Sequence, residues 1–76
     1  MYIYEGHLGG LYTTEYPLDY DDLYCEECGD SDWLIGYANN KKEAWKLFEG
    51  KLDINGSGGW NYEYVKNFIN EHFSWN

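Results

Sequence analysis

Apolar positions along this chain fall into short patterned stretches separated by glycine, proline and polar residues. The first, Tyr2-Ile3-Tyr4 leading to His7 and Leu8, alternates as a strand does. Gly9-Gly10 then sits between Leu8 and Leu11, a two-residue loop suited to the positive φ angles of a tight hairpin. Leu11 to Tyr16 reads as the return strand, and Pro17 stops it. Trp33 to Ala38 forms another clear β run. Beyond it the period changes from two to that of a helix. Asn40 with Glu43 fits a capping box, Ala44, Trp45, Leu47 and Phe48 mark one helical face, and Gly50 is a stop signal. After a glycine-rich connection from Lys51 to Gly59, a second helix starts at Asn61 and carries Val65, Phe68, Ile69 and Phe73 at helical spacing.

Residues 18–32 admit two readings. One is a short helix with Asp19 as N-cap, a Leu18–Leu23 staple and Gly29 just past its end. Glu26 and Glu27 argue against it, because they would lie at the negative end of the helix dipole. The other is a strand through Leu23-Tyr24-Cys25, a turn at Cys28-Gly29-Asp30, and the strand from Trp33. We favour the second. The expected fold is α+β: a small antiparallel sheet of three to four strands, from the N-terminal hairpin and strands near 22–26 and 33–38. Two C-terminal helices pack on one face of it, and residues 1–76 form one small acidic domain.

Composition changes this picture little, but charge changes it more. Sixteen aromatics (four Trp, nine Tyr, three Phe) argue for a folded chain despite a low mean hydropathy of −0.74. The net charge of −9 is confined to the first 40 residues, which hold nine carboxylates and no lysine or arginine. The remainder balances five acids with five lysines. A chain without arginine and with this field has no basic surface for phosphate, so direct nucleic-acid binding is not expected. No apolar run is long enough to span a membrane, and Met1 to Glu5 lacks the features of a signal peptide. A cytoplasmic protein is expected, in which a Cys25–Cys28 disulfide would be unusual.

Cys25-Glu26-Glu27-Cys28-Gly29 has the spacing of one zinc knuckle, in which two thiolates chelate from a tight turn. Over these five residues the chain resembles half of a zinc ribbon, which implies a metal and a second ligand pair. No second pair exists here. His7, His72, Asp30 and Asp32 are the candidates to complete a tetrahedron, with His7 preferred, and a second copy of the chain could also supply its own pair as a homodimer. The plainest reading ranks first: two reduced cysteines acting as small apolar side chains, with no cofactor. Zinc ranks second. Redox chemistry ranks third, because the surrounding acids should raise both thiol pKa values and make them poor nucleophiles.

Two weaker signals complete the inventory. Asp53, Asn55 and Ser57 precede Gly58 with the oxygen spacing of a calcium loop, but position twelve is Tyr64 instead of a bidentate acid. A flexible turn is the simpler explanation. No serine, histidine or carboxylate is singled out as a nucleophile–base pair, so no enzymatic activity is expected. The acidic half is also rich in tyrosine, and Tyr16, Asp19, Tyr20, Asp21, Asp22, Glu26 and Glu27 form a candidate surface for a basic protein partner. The leading functional expectation is therefore a non-enzymatic protein-binding module, in the style of accessory or inhibitor proteins of phages and mobile elements. A small zinc-stabilised structural or regulatory domain is the alternative.

Overall fold

In the computed structural model, which describes residues 1–53 and 58–74, the chain divides into two compact units, Met1–Tyr37 and Ala38–Asn76. The architecture is α+β, with an antiparallel three-stranded sheet and helices.

The first unit holds the sheet. Strands β1 (Tyr2–Glu5), β2 (Leu11–Thr14) and β3 (Trp33–Tyr37) lie in the order β2-β1-β3. The hairpin register pairs Tyr2 with Thr14 and Glu5 with Leu11. The turn is therefore five residues, Gly6 to Gly10, and not the two-residue Gly9-Gly10 loop expected from the pattern. It closes through Gly6 N–H to the Gly10 carbonyl (2.9 Å) and Gly9 N–H to the Gly6 carbonyl (3.0 Å). Gly9 and Gly10 have φ angles of 89° and 95°, so the glycines do supply the left-handed backbone, but at the far end of a longer loop. This lifts His7 out of the strand.

Ile3 and Tyr4 are both buried although adjacent, a departure from simple alternation. The register against β3 shifts between these same two residues. Tyr4 stacks on Tyr12 with ring centroids 5.5 Å apart, and its hydroxyl oxygen accepts the Leu18 N–H at 2.8 Å. That bond fixes the chain where it leaves Pro17.

Residues 18–32 combine halves of both readings. A one-turn helix, α1 (Tyr20–Leu23), follows Asp19 at its N-cap, whose N–H donates to the Asp22 carboxylate at 3.3 Å. The strand expected near 22–26 is thus a helix end followed by a single antiparallel bridge, Tyr24 with Ser31. The physical reason is local: Asp19 and Asp22 satisfy the helix start, while Gly29, at φ 74°, permits the turn that follows.

The second unit carries α2 (Lys41–Leu47) and α3 (Tyr62–His72). Asn40 caps α2 by accepting the Glu43 N–H at 2.9 Å, and the Glu43 carboxylate accepts the Asn39 N–H at 3.0 Å. Asn61 caps α3 by accepting the Tyr64 N–H at 3.0 Å. Ala44, Phe48, Val65, Phe68 and Ile69 are buried, as the helical periodicity predicts, whereas Trp45 and Leu47 are only partly so. The Lys41 N–H donates to the Ser74 carbonyl at 2.7 Å, tying the start of α2 to the residues after α3. Among the described residues, no helix is long and apolar enough to cross a membrane.

Candidate metal centre

The cysteine pair sits in a small closed turn of the first unit. Tyr24 bridges Ser31, the Leu23 carbonyl accepts the Asp32 N–H at 2.9 Å, and the Cys25 N–H donates to the Asp30 carbonyl at 2.8 Å. The Gly29 N–H returns to the Cys25 carbonyl at 2.9 Å. The backbone N–H groups of Cys28 and Glu27 face the Cys25 sulfur, as does the Cys28 thiol. Peptide donors aimed at a sulfur are what a chelating turn supplies to a thiolate.

His7 meets this turn from the β1–β2 loop. Its ring and the two sulfurs place one candidate ligand atom each within 4.8 Å of one another. A tetrahedral zinc with Zn–S of about 2.3 Å and Zn–N of about 2.0–2.1 Å spaces its ligand atoms roughly 3.6–3.8 Å apart. The trio is therefore within about an ångström of that geometry, a distance that side-chain rotation covers. Cys28 is exposed, and Cys25 and His7 are half-buried.

Asp32 orients the histidine. One of its oxygens, Oδ1, accepts both the His7 backbone N–H at 2.8 Å and His7 Nδ1–H at 2.7 Å. The other, Oδ2, accepts the Tyr12 hydroxyl at 2.5 Å. With the proton on Nδ1, a neutral ring keeps its lone pair on Nε2, the form in which imidazole ligates a metal. A carboxylate behind the distal nitrogen of a metal-ligating histidine is a recurrent arrangement.

The electrostatics follow from these contacts. Hydrogen bonding to Asp32 raises the His7 pKa above 6.5, with smaller help from Cys25 and against some loss of solvation. The Tyr12 hydroxyl, then His7, hold the Asp32 carboxyl below its usual range. Desolvation first and Asp32 second push the Tyr12 phenol upward. The cysteines split. The Cys28 thiol, then the backbone donors of Cys28 and Glu27, lower the Cys25 pKa, while Cys28 is raised by its bond to the Cys25 sulfur, by desolvation and by nearby negative charge. The expectation that the acidic field raises both thiols fails for Cys25, where the Cys28 thiol and then the backbone donors favour the thiolate. Cys28 does rise, but first through its bond to the Cys25 sulfur and through desolvation, with the Asp30 charge the smallest contributor.

Asp30 is exposed and does not join the trio, and Asp32 stands behind His7 as its hydrogen-bond acceptor. His72 ends α3 in the second unit with its ring 4.7 Å from that of Phe68. The carboxylate of Asp53 accepts the Gly58 N–H at 3.1 Å, while Asn55 and Ser57 lie outside the described residues. Tyr16, Asp19, Tyr20, Asp21, Asp22, Glu26 and Glu27 are all exposed, and Tyr20 stacks on Tyr24 with centroids 5.7 Å apart. The part played by Asp32 and Tyr12 around His7 carried no sequence signal, because the partners are far apart in the chain and share no motif.

Two cysteines from a knuckle-like turn and one histidine backed by a carboxylate form a group whose donor atoms could hold a metal ion. Compared with protein families, with curated proteins and with solved structures, the chain matches none.

Proposed function

We propose that the N-terminal unit is a zinc-binding domain in which Cys25, Cys28 and His7 are the protein ligands and the role is structural or regulatory, without catalysis. The observation that supports this reading is the convergence of His7, from a different hairpin, on the two cysteines. A sheet this small gains from a metal, since ions that bind only the folded state add their binding energy to its stability. Zinc at about 100-fold over its Kd adds about 2.7 kcal/mol. Protein purified under reducing conditions should carry one zinc per chain and melt at lower temperature after chelation. Cys25→Ser, Cys28→Ser and His7→Ala should each lose the metal. A sample that takes up no zinc and melts identically with metal and with chelator rules the reading out.

A second reading concerns the acidic face. Tyr16 and Tyr20 are 75% and 71% exposed among carboxylates in a stretch of 40 residues without lysine or arginine. This favours a basic protein partner docking on the tyrosine–acid surface. Affinity for such a partner should fall steeply between about 0.05 and 0.5 M salt. Binding indifferent to salt would reject an electrostatic interface.

A further inference from the structure

We propose that a zinc ion held by Cys25, Cys28 and His7 keeps its fourth coordination position open and takes there a neutral nitrogen donor of the imidazole class from outside the chain. The inference rests on the zinc reading above and adds what that ion would bind.

Three observations carry it. First, the donor set stops at three: among the described residues no fourth side chain joins the group. Both oxygens of Asp32 are engaged, one by two donors from His7 and the other by the Tyr12 hydroxyl. Second, the trio is reachable, since Cys28 is exposed and the other two ligands are half-buried. A closed structural zinc has four protein ligands, whereas three protein ligands leave a position that exchanges.

Third, charge selects the incoming group. Zn²⁺ with two thiolates and one neutral imidazole carries no net charge. A neutral fourth ligand preserves that balance, whereas a thiolate, carboxylate or azide makes the centre anionic beside Glu26, Glu27, Asp30 and Asp32. The unit has no lysine or arginine to offset the extra charge. Among neutral donors, imidazole suits this borderline-soft ion better than an amide or hydroxyl oxygen does.

Cobalt(II) substitution tests this, with a phosphine as reductant so that no thiol competes. One equivalent of Co²⁺ should give thiolate-to-cobalt charge transfer together with the visible bands of a four-coordinate ion. Imidazole should then shift the visible bands along a saturable one-to-one curve, at least tenfold tighter than azide. Asp30→Asn should leave the cobalt spectrum unchanged. A lysine-flanked histidine peptide separates the sources of the donor. Tighter binding than free imidazole, lost in high salt and lost when its histidine is alanine, assigns it to a basic polypeptide; equal binding assigns it to a small molecule.

A normal cobalt spectrum that imidazole does not move overturns the open position and leaves the metal site standing. Azide binding as tightly as imidazole overturns the charge argument. One metal shared by two chains in native mass spectrometry means that a second copy fills the position, which also overturns the proposal. Failure to take up cobalt or zinc at all overturns the metal reading itself.

Discussion

Asp32 shows how one side chain can organise a site without touching its chemistry. Its carboxylate gathers the His7 backbone, the His7 ring and the Tyr12 hydroxyl, and it is mostly shielded, with 15% side-chain exposure. It acts as a positioning residue for His7: it fixes which ring nitrogen carries the proton and the direction in which the other points. Asp32→Asn keeps an acceptor but loses the charge, and Asp32→Ala loses both. Zinc affinity should therefore fall in that order, by about 10-fold to about 100-fold. Competition with a chromophoric chelator measures it. A purely structural role for Asp32 would lower the melting temperature of the metal-free protein yet leave the affinity of the folded state for zinc unchanged.

At the scale of elements, the turn from Cys25 to Asp30 depends on Gly29. Its φ of 74° is left-handed, and a Cβ built there meets nothing within 4 Å. Gly29→Ala therefore costs backbone strain alone, about 1–2 kcal/mol, and weakens metal binding by disturbing the N–H groups that face the Cys25 sulfur. Gly59→Ala is harsher in the second unit: φ is 119°, and the added carbon would lie 2.5 Å from the Lys51 carbonyl oxygen. Thermal melts of the two variants should rank in that order.

These same elements show what a sequence can disclose. The helices were legible because caps and periodicity are local: Asn40 and Asn61 act as N-caps and the buried faces match. The Cys-x-x-Cys turn was legible for the same reason. Residues 18–32 were only half legible, because Asp19 favours a helix and Gly29 a turn, and the chain uses both within fifteen residues. His7 was a candidate by residue type, but its approach to the cysteines depends on a five-residue loop that the Gly9-Gly10 pattern hides.

For the whole molecule, the proposed zinc site predicts opposite responses to pH for the metal-free and zinc-loaded proteins, because His7 and the two thiols titrate. In the metal-free state His7 pairs with Asp32, the histidine pKa being raised above 6.5 and the carboxyl lowered below 3.8. A raised histidine contributes stability that is fully present below its unfolded value and is lost as pH climbs through the folded one. A lowered carboxyl contributes stability present above its unfolded value and lost as pH falls through the folded one. The pair therefore stabilises the metal-free fold most between 3.8 and 6.5 and fades on the alkaline side. Zinc reverses that trend, since it requires neutral imidazole and two thiolates and displaces their protons, so its hold strengthens as pH rises. The melting-temperature gap between zinc-loaded and chelated protein should thus be small at about pH 5 and wide at about pH 8. Equal gaps at both values would mean that the metal is held by groups that do not titrate in this range, surface carboxylates instead of His7, Cys25 and Cys28. The acidic field makes this comparison informative, because a chain with nine carboxylates in its first 40 residues can attract cations loosely almost anywhere. Only a centre built on imidazole and thiolate widens its grip with pH while losing little to salt, and that pairing of responses separates a specific site from a charged surface.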